Sequence, residues 1–149
     1  MDGNNGENKR LHLQMIQGVV NRLAQNSFLI KGWSVLLVAA LFALAANNDK
    51  PPFAWVALFP ALTFWILDGY FLWQERMFRA LYDAVCGKPE EKIDYSMNTS
   101  PFREKVVGWS SAAFNIWPPR NTLFIFHGTI VVAILAVAAI LISLQKSGE

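Results

Sequence analysis

The sequence predicts an all-α membrane protein with three transmembrane helices, an N-terminal amphipathic helix and a cytoplasmic helical extension of the second span. Three observations predict it. Of the 149 residues, 54% are hydrophobic and 16% charged, whereas a soluble domain carries charge on about a quarter of its residues. The apolar excess is gathered into blocks: Gly32 to Asn48 and Pro51 to Leu67 each run 17 residues without a charge, and Asn121 to Gln145 runs 25 with His127 as its sole titratable residue. A hydrocarbon core about 30 Å thick needs roughly 20 helical residues, so the blocks are of spanning length. Third, residues 129–142, TIVVAILAVAAILI, lack the polar stripe that a soluble helix turns to water. Continuous rather than alternating apolar blocks exclude a transmembrane β-barrel.

Along the chain, residues 1–8 are Gly- and Asn-rich and expected to be disordered. In 9–27, Leu11, Met15, Ile16, Val19, Val20 and Leu23 recur at helical spacing opposite Gln14, Gln17, Asn21, Arg22 and Gln25, which predicts an amphipathic cytoplasmic or interfacial helix. The first span is 28–46; Asn47, Asn48 and the Pro51–Pro52 pair end it, so 47–52 is a short external turn and the first two spans form a hairpin. The second span, 53–73, runs on as a cytoplasmic extension over 74–87, with Met77, Leu81 and Val85 on one face, until Gly87 and Pro89 stop it. Residues 88–121 form a cytoplasmic loop at the inner interface, with a short helix expected where Ser100 can cap and Pro101 can start it. Asn121 and Thr122 begin the third span, 122–144, and 145–149 is an external tail. The polar N-terminus offers no signal peptide, because the first apolar run begins near Phe28 with no small-residue cleavage site after it.

Charge sets the orientation. Of 13 Lys and Arg residues, Lys9, Arg10, Arg22 and Lys31 precede or open the first span, and Arg76, Arg79, Lys88, Lys92, Arg103, Lys105 and Arg120 lie between the second and third; Lys50 and Lys146 alone fall on the other side. Basic flanking loops stay inside. The N-terminus and central loop are therefore expected in the cytoplasm of a bacterial inner membrane, with the C-terminus external. Trp33, Trp73, Trp109 and Trp117 near the inner interface and Trp55 near the outer one fit an aromatic belt.

Three titratable residues interrupt the apolar blocks at similar depth near their cytoplasmic ends: Lys31, Asp68 and His127. Burying Lys or Asp at mid-helix costs on the order of 2.5 to 3.5 kcal/mol even on a lenient scale, so each needs a reason to be there. One reason is structural: Lys31 snorkels or pairs with Asp68 to pin the hairpin, and His127 bonds a neighbouring helix. The other is a polar pathway for ions or protons. Gly69, beside Asp68, allows another backbone to approach closely. Small residues Ser34, Ala39, Ala43 and Ala46 on the first span, and Gly128, Ala139 and Ser143 on the third, permit close packing within the chain or self-association.

Other chemistry finds no footing. A single cysteine, Cys86, allows no intrachain disulfide and no metal cluster with two distant histidines. Glu75, Asp83, Glu90, Glu91, Asp94 and Glu104 interleave with the loop's basic residues, against a nucleic-acid site. No nucleophile elbow, phosphate-cradling loop or dinucleotide fingerprint is present, and neither an enzyme nor a cofactor is expected.

The order of amphipathic helix (LHLQMIQGVVNRLAQNSF), hairpin (KGWSVLLVAALFALAA, then FAWVALFPALTFWILDGYF) and charged helical extension (QERMFRALYDAV) resembles small bacterial membrane proteins of defence and mobile islands, the SLATT-like effectors. The resemblance covers residues 9 to 85 and concerns architecture; those proteins carry two spans, and this chain a third. It implies a homo-oligomeric effector that perturbs the bilayer, and carries over no functional residue. Two functions are therefore expected in competition: a pore-forming or membrane-perturbing oligomer, and a membrane anchor or accessory subunit that binds a partner through its cytoplasmic loop. In a pore, Lys31, Asp68 and His127 face a wetted axis; in an anchor they neutralise one another within one chain.

Overall fold

In a computed structural model of the chain, residues 6–47, 55–106, 108–114 and 122–147 are described. Among them there is helix and turn and no strand. The first helix, α1, runs Glu7–Asn47, 41 residues. No proline interrupts this stretch, so nothing breaks the hydrogen-bond ladder between the amphipathic segment and the apolar one. The amphipathic segment expected over 9–27 and the span expected over 28–46 are thus one unbroken helix, which starts at Glu7 rather than at residue 9. At about 1.5 Å per residue it is roughly 60 Å long, twice a hydrocarbon core.

Helix α2, Leu58–Cys86, returns antiparallel to α1. Pro60 lies in its first turn, where a missing N–H is harmless. At its other end the Gly87 N–H bonds the Asp83 carbonyl at 3.1 Å, and the Lys9 ammonium donates to the carbonyls of Cys86 and Lys88 at 3.1 and 2.8 Å. A cation on the last carbonyls of a helix meets both unpaired acceptors and the negative end of the dipole. The hairpin keeps a constant register: the hydrogen-bonded pairs Lys9–Cys86 and Ser27–Asp68 are separated by 18 residues on each helix.

The loop between α2 and the last helix contains two single-turn 3₁₀ helices, Glu90–Lys92 and Ser100–Phe102, and a short helix α3, Trp109–Phe114. The helix expected at Ser100–Pro101 is thus one 3₁₀ turn with Thr99, not Ser100, at its cap. The side chains of Asp94, Ser96 and Asn98 each accept from the backbone N–H two residues on, at 3.3, 3.1 and 3.0 Å, which satisfies the chain locally and competes with a longer helix. Tyr95, in the same run, has a left-handed φ of 51° and sets its ring edge-on to His12, 5.5 Å away. Helix α4, Thr122–Ser147, closes the described chain and extends past the expected end of the third span at residue 144. Asn48 to Pro52 of the expected external turn, residues 1–5 and the Asn121 cap lie outside the described residues.

α2 is the hub. Its buried positions, Ala61, Trp65, Asp68, Gly69, Trp73, Met77, Leu81 and Val85, recur mainly at four-residue steps. Such a row drifts about 40° per step, because a turn takes 3.6 residues. The drift follows a change of partner. Towards the hairpin tip, Ala57 and Ala61 pack with Val38 of α1 and Ile134 of α4; towards the other end, Leu81 and Val85 pack with Ile16 of α1 and Ile93 of the loop.

α1 and α4 are each long and apolar enough to cross a membrane, and only 22% and 17% of their apolar stretches are buried within the chain. Core helices of soluble proteins are mostly buried; these instead expose Phe28 (76%), Leu36 (59%), Val132 (65%) and Leu144 (65%). α2 does not meet that measure among the described residues, since Asp68 and Gly69 interrupt its apolar run and Gln74, Glu75 and Arg76 follow.

Candidate functional site

Where α1, α2 and α4 meet, the chain brings Lys31, Asp68 and His127 together. Asp68 is completely buried, His127 is 1% exposed, and the Lys31 side chain is 25% exposed. Asp68 Oδ2 lies 2.6 Å from Lys31 Nζ and 2.9 Å from His127 Nε2. Its other oxygen, Oδ1, accepts from the Ser27 hydroxyl. Lys31 Nζ also donates to Ser27 Oγ at 2.8 Å, and Ser27 lies one helical turn before it. The carboxylate therefore has three donors from two helices, with the positive charge of Lys31 against its negative one. An ionised carboxylate only accepts, so His127 Nε2 carries the proton on this contact. The opposite ring nitrogen, Nδ1, is buried without a partner among the described residues, as is the hydroxyl of Ser34.

The arrangement has a chemical consequence. Ser, Asp and His are the residue types of a hydrolytic triad, but there the histidine stands between serine and acid and takes the serine proton. Here Asp68 stands between Ser27 and His127. Ser27 donates to the acid, and the imidazole is not placed to activate it. Among the described residues no group of three His, Cys, Asp or Glu side chains could hold a metal ion.

Helix α3 closes the cluster from the loop side. The Trp65 indole N–H donates to the Ala113 carbonyl at 2.9 Å, and the same indole stacks on the His127 ring, 5.9 Å between centroids and 13° between planes. A Cβ added to Gly69 would fall 2.5 Å from the Ala113 Cβ and 3.0 Å from its Cα. Glycine at 69 is what admits α3 to this depth, one residue from Asp68. Sequence reasoning placed Lys31, Asp68, His127 and the role of Gly69, but missed Ser27, Trp65 and the docking of α3. Ser27 had a signal, being four residues before Lys31 on the same helical face. Trp65 carries no such signal, and nothing in the sequence pairs it with Ala113.

The chain matches no known protein family, no curated protein and no solved structure. Its function has to be argued from the cluster itself.

Proposed function

We propose that the chain is a three-span protein of a bacterial inner membrane that serves as an anchor or accessory subunit, presenting a cytoplasmic head made of the outer turns of α1, the end of α2 and the loop. The observation that carries this reading is the closure of the cluster: both Asp68 oxygens are used by Ser27, Lys31 and His127 of the same chain, with no exposed surface. A pore that conducts through this cluster, the competing reading under the SLATT-like architecture, would leave Asp68 facing a wetted axis. A self-neutralised cluster instead pins three helices at one depth, and the reading includes no catalytic step.

Support for α2 as the third span comes from its apolar exposure, with Phe59, Leu62, Ile66 and Leu67 all outward. Thr63 and Thr129 face the same surroundings with their hydroxyls bonded to the carbonyls four residues back, at 2.8 and 2.7 Å, as hydrocarbon demands of a polar group. The excess of Lys and Arg on the head supports an inward head. Planar-bilayer recording of the purified protein tests the reading: no unitary conductance is expected. A discrete conductance lost in Asp68→Asn would restore the pore.

A further inference from the structure

We propose that the chain holds the phosphate of an anionic lipid headgroup at the inner edge of its membrane part, on Arg103 and the indole N–H of Trp73, with Arg22 and Arg76 beside them. The inference rests on the three-span reading.

Trp73 is 8% exposed, and its indole nitrogen is buried with no acceptor among the described residues. An indole N–H is a donor only. The turn that covers it carries Val106, packed against the ring, and Arg103, whose guanidinium lies 5.5 Å from the ring centroid. Arg103 is exposed and makes no ion pair among the described residues. The Arg103 guanidinium thus lies over a ring whose N–H has no acceptor among the described residues.

Depth selects the ligand. Trp55, at the expected outer interface, lies three residues before α2 and 18 before Trp73, about 27 Å at a helical rise of 1.5 Å per residue, close to the thickness of a hydrocarbon core. The hairpin register puts Arg22 at the same level, five residues from Ser27 as Trp73 is five from Asp68. Arg22 and Arg76 have no acidic partner among the described residues, while Arg79, a turn further inward, is held by Glu75 at 2.7 Å and Arg10 faces Glu7 at 3.8 Å. Among the described residues, the arginines without an ion pair are Arg22, Arg76 and Arg103, near this level. Arginine and an N–H donor match phosphate oxygens, and anionic lipids enrich the cytoplasmic leaflet.

The test reconstitutes the full chain in nanodiscs of phosphatidylcholine with a minor fraction of phosphatidylglycerol and counts retained lipids by native mass spectrometry. Wild type is expected to retain phosphatidylglycerol in preference to phosphatidylcholine. Arg103→Gln should lower that retention about tenfold, the worth of one charge-assisted hydrogen bond, and Trp73→Phe should lower it in part. Arg79→Gln, already paired, should leave it unchanged. If Trp73→Phe does not fold, the exposed Arg103→Gln decides alone. Equal retention by Arg103→Gln and wild type, equal retention of both lipids, or displacement by inorganic phosphate would each overturn the site. Failure of the wild-type chain to enter nanodiscs would overturn the spanning reading itself, and the site with it.

Discussion

Removing one charge from the buried cluster and then both separates a structural clamp from an incidental contact. In Lys31→Met, Asp68 keeps Ser27 and His127 as donors but loses its cation at a position with no exposed surface. Breaking a buried pair from one side costs roughly 3 to 5 kcal/mol, and nothing in the exposure of Asp68 reduces that. Asp68→Asn keeps the shape and an acceptor oxygen for Lys31 and His127, so the loss is charge assistance on about three bonds, near 1 kcal/mol each. Lys31 is 25% exposed at its side chain and reaches headgroups when unpaired, which lowers the total to about 2 kcal/mol. In the double variant no buried charge remains, and about 2 to 3 kcal/mol is expected rather than the sum of roughly 5 to 7. Unfolding in mixed micelles at increasing denaturing-detergent fraction reads all four corners of the cycle. Additivity within about 0.5 kcal/mol would refute the clamp.

Three further substitutions probe its walls. His127→Leu removes the hydrogen bond between α4 and Asp68 and should cost about 1 to 3 kcal/mol, read as faster hydrogen exchange in α4 with the α1–α2 hairpin unaffected. Gly69→Val drives a side chain into Ala113, whose Cβ lies 2.5 Å from the added carbon; α3 should leave its seat and the loop become sensitive to limited proteolysis, whereas unchanged cleavage would mean that the contact is dispensable. Trp65→Phe loses the hydrogen bond to Ala113 and should cost about 1 kcal/mol, a smaller form of the same exposure by the same assay.

Much of this architecture was legible because the bilayer imposes coarse rules. Seventeen-residue apolar runs separated by a Pro–Pro pair lead to long helices and a hairpin, and the one-sided distribution of basic residues leads to an expected orientation. The same crudeness hid the join at residue 27: an amphipathic pattern and an apolar one read as two elements, although a helix without proline passes from one to the other without a break. The three charged or titratable residues were visible because each is costly in an apolar block, and their similar depth implied a meeting. Their partners were less visible. Ser27 and Trp65 cost little wherever they lie, and α3 is set by a Gly69–Ala113 contact between residues 44 positions apart, which no local pattern records.

The central claim is a three-span chain with its head inside, and the native cysteine offers its most direct test. Cys86 is the sole cysteine, and it is exposed at the end of α2. Cells expressing wild type, and Cys86→Ser chains carrying Asn8→Cys or Ser147→Cys, are treated with a membrane-impermeant maleimide before and after permeabilisation. Cys86 and position 8 are expected to label only after permeabilisation, and position 147 in intact cells. Labelling of Cys86 in intact cells, or of positions 86 and 147 from the same side, would contradict that topology.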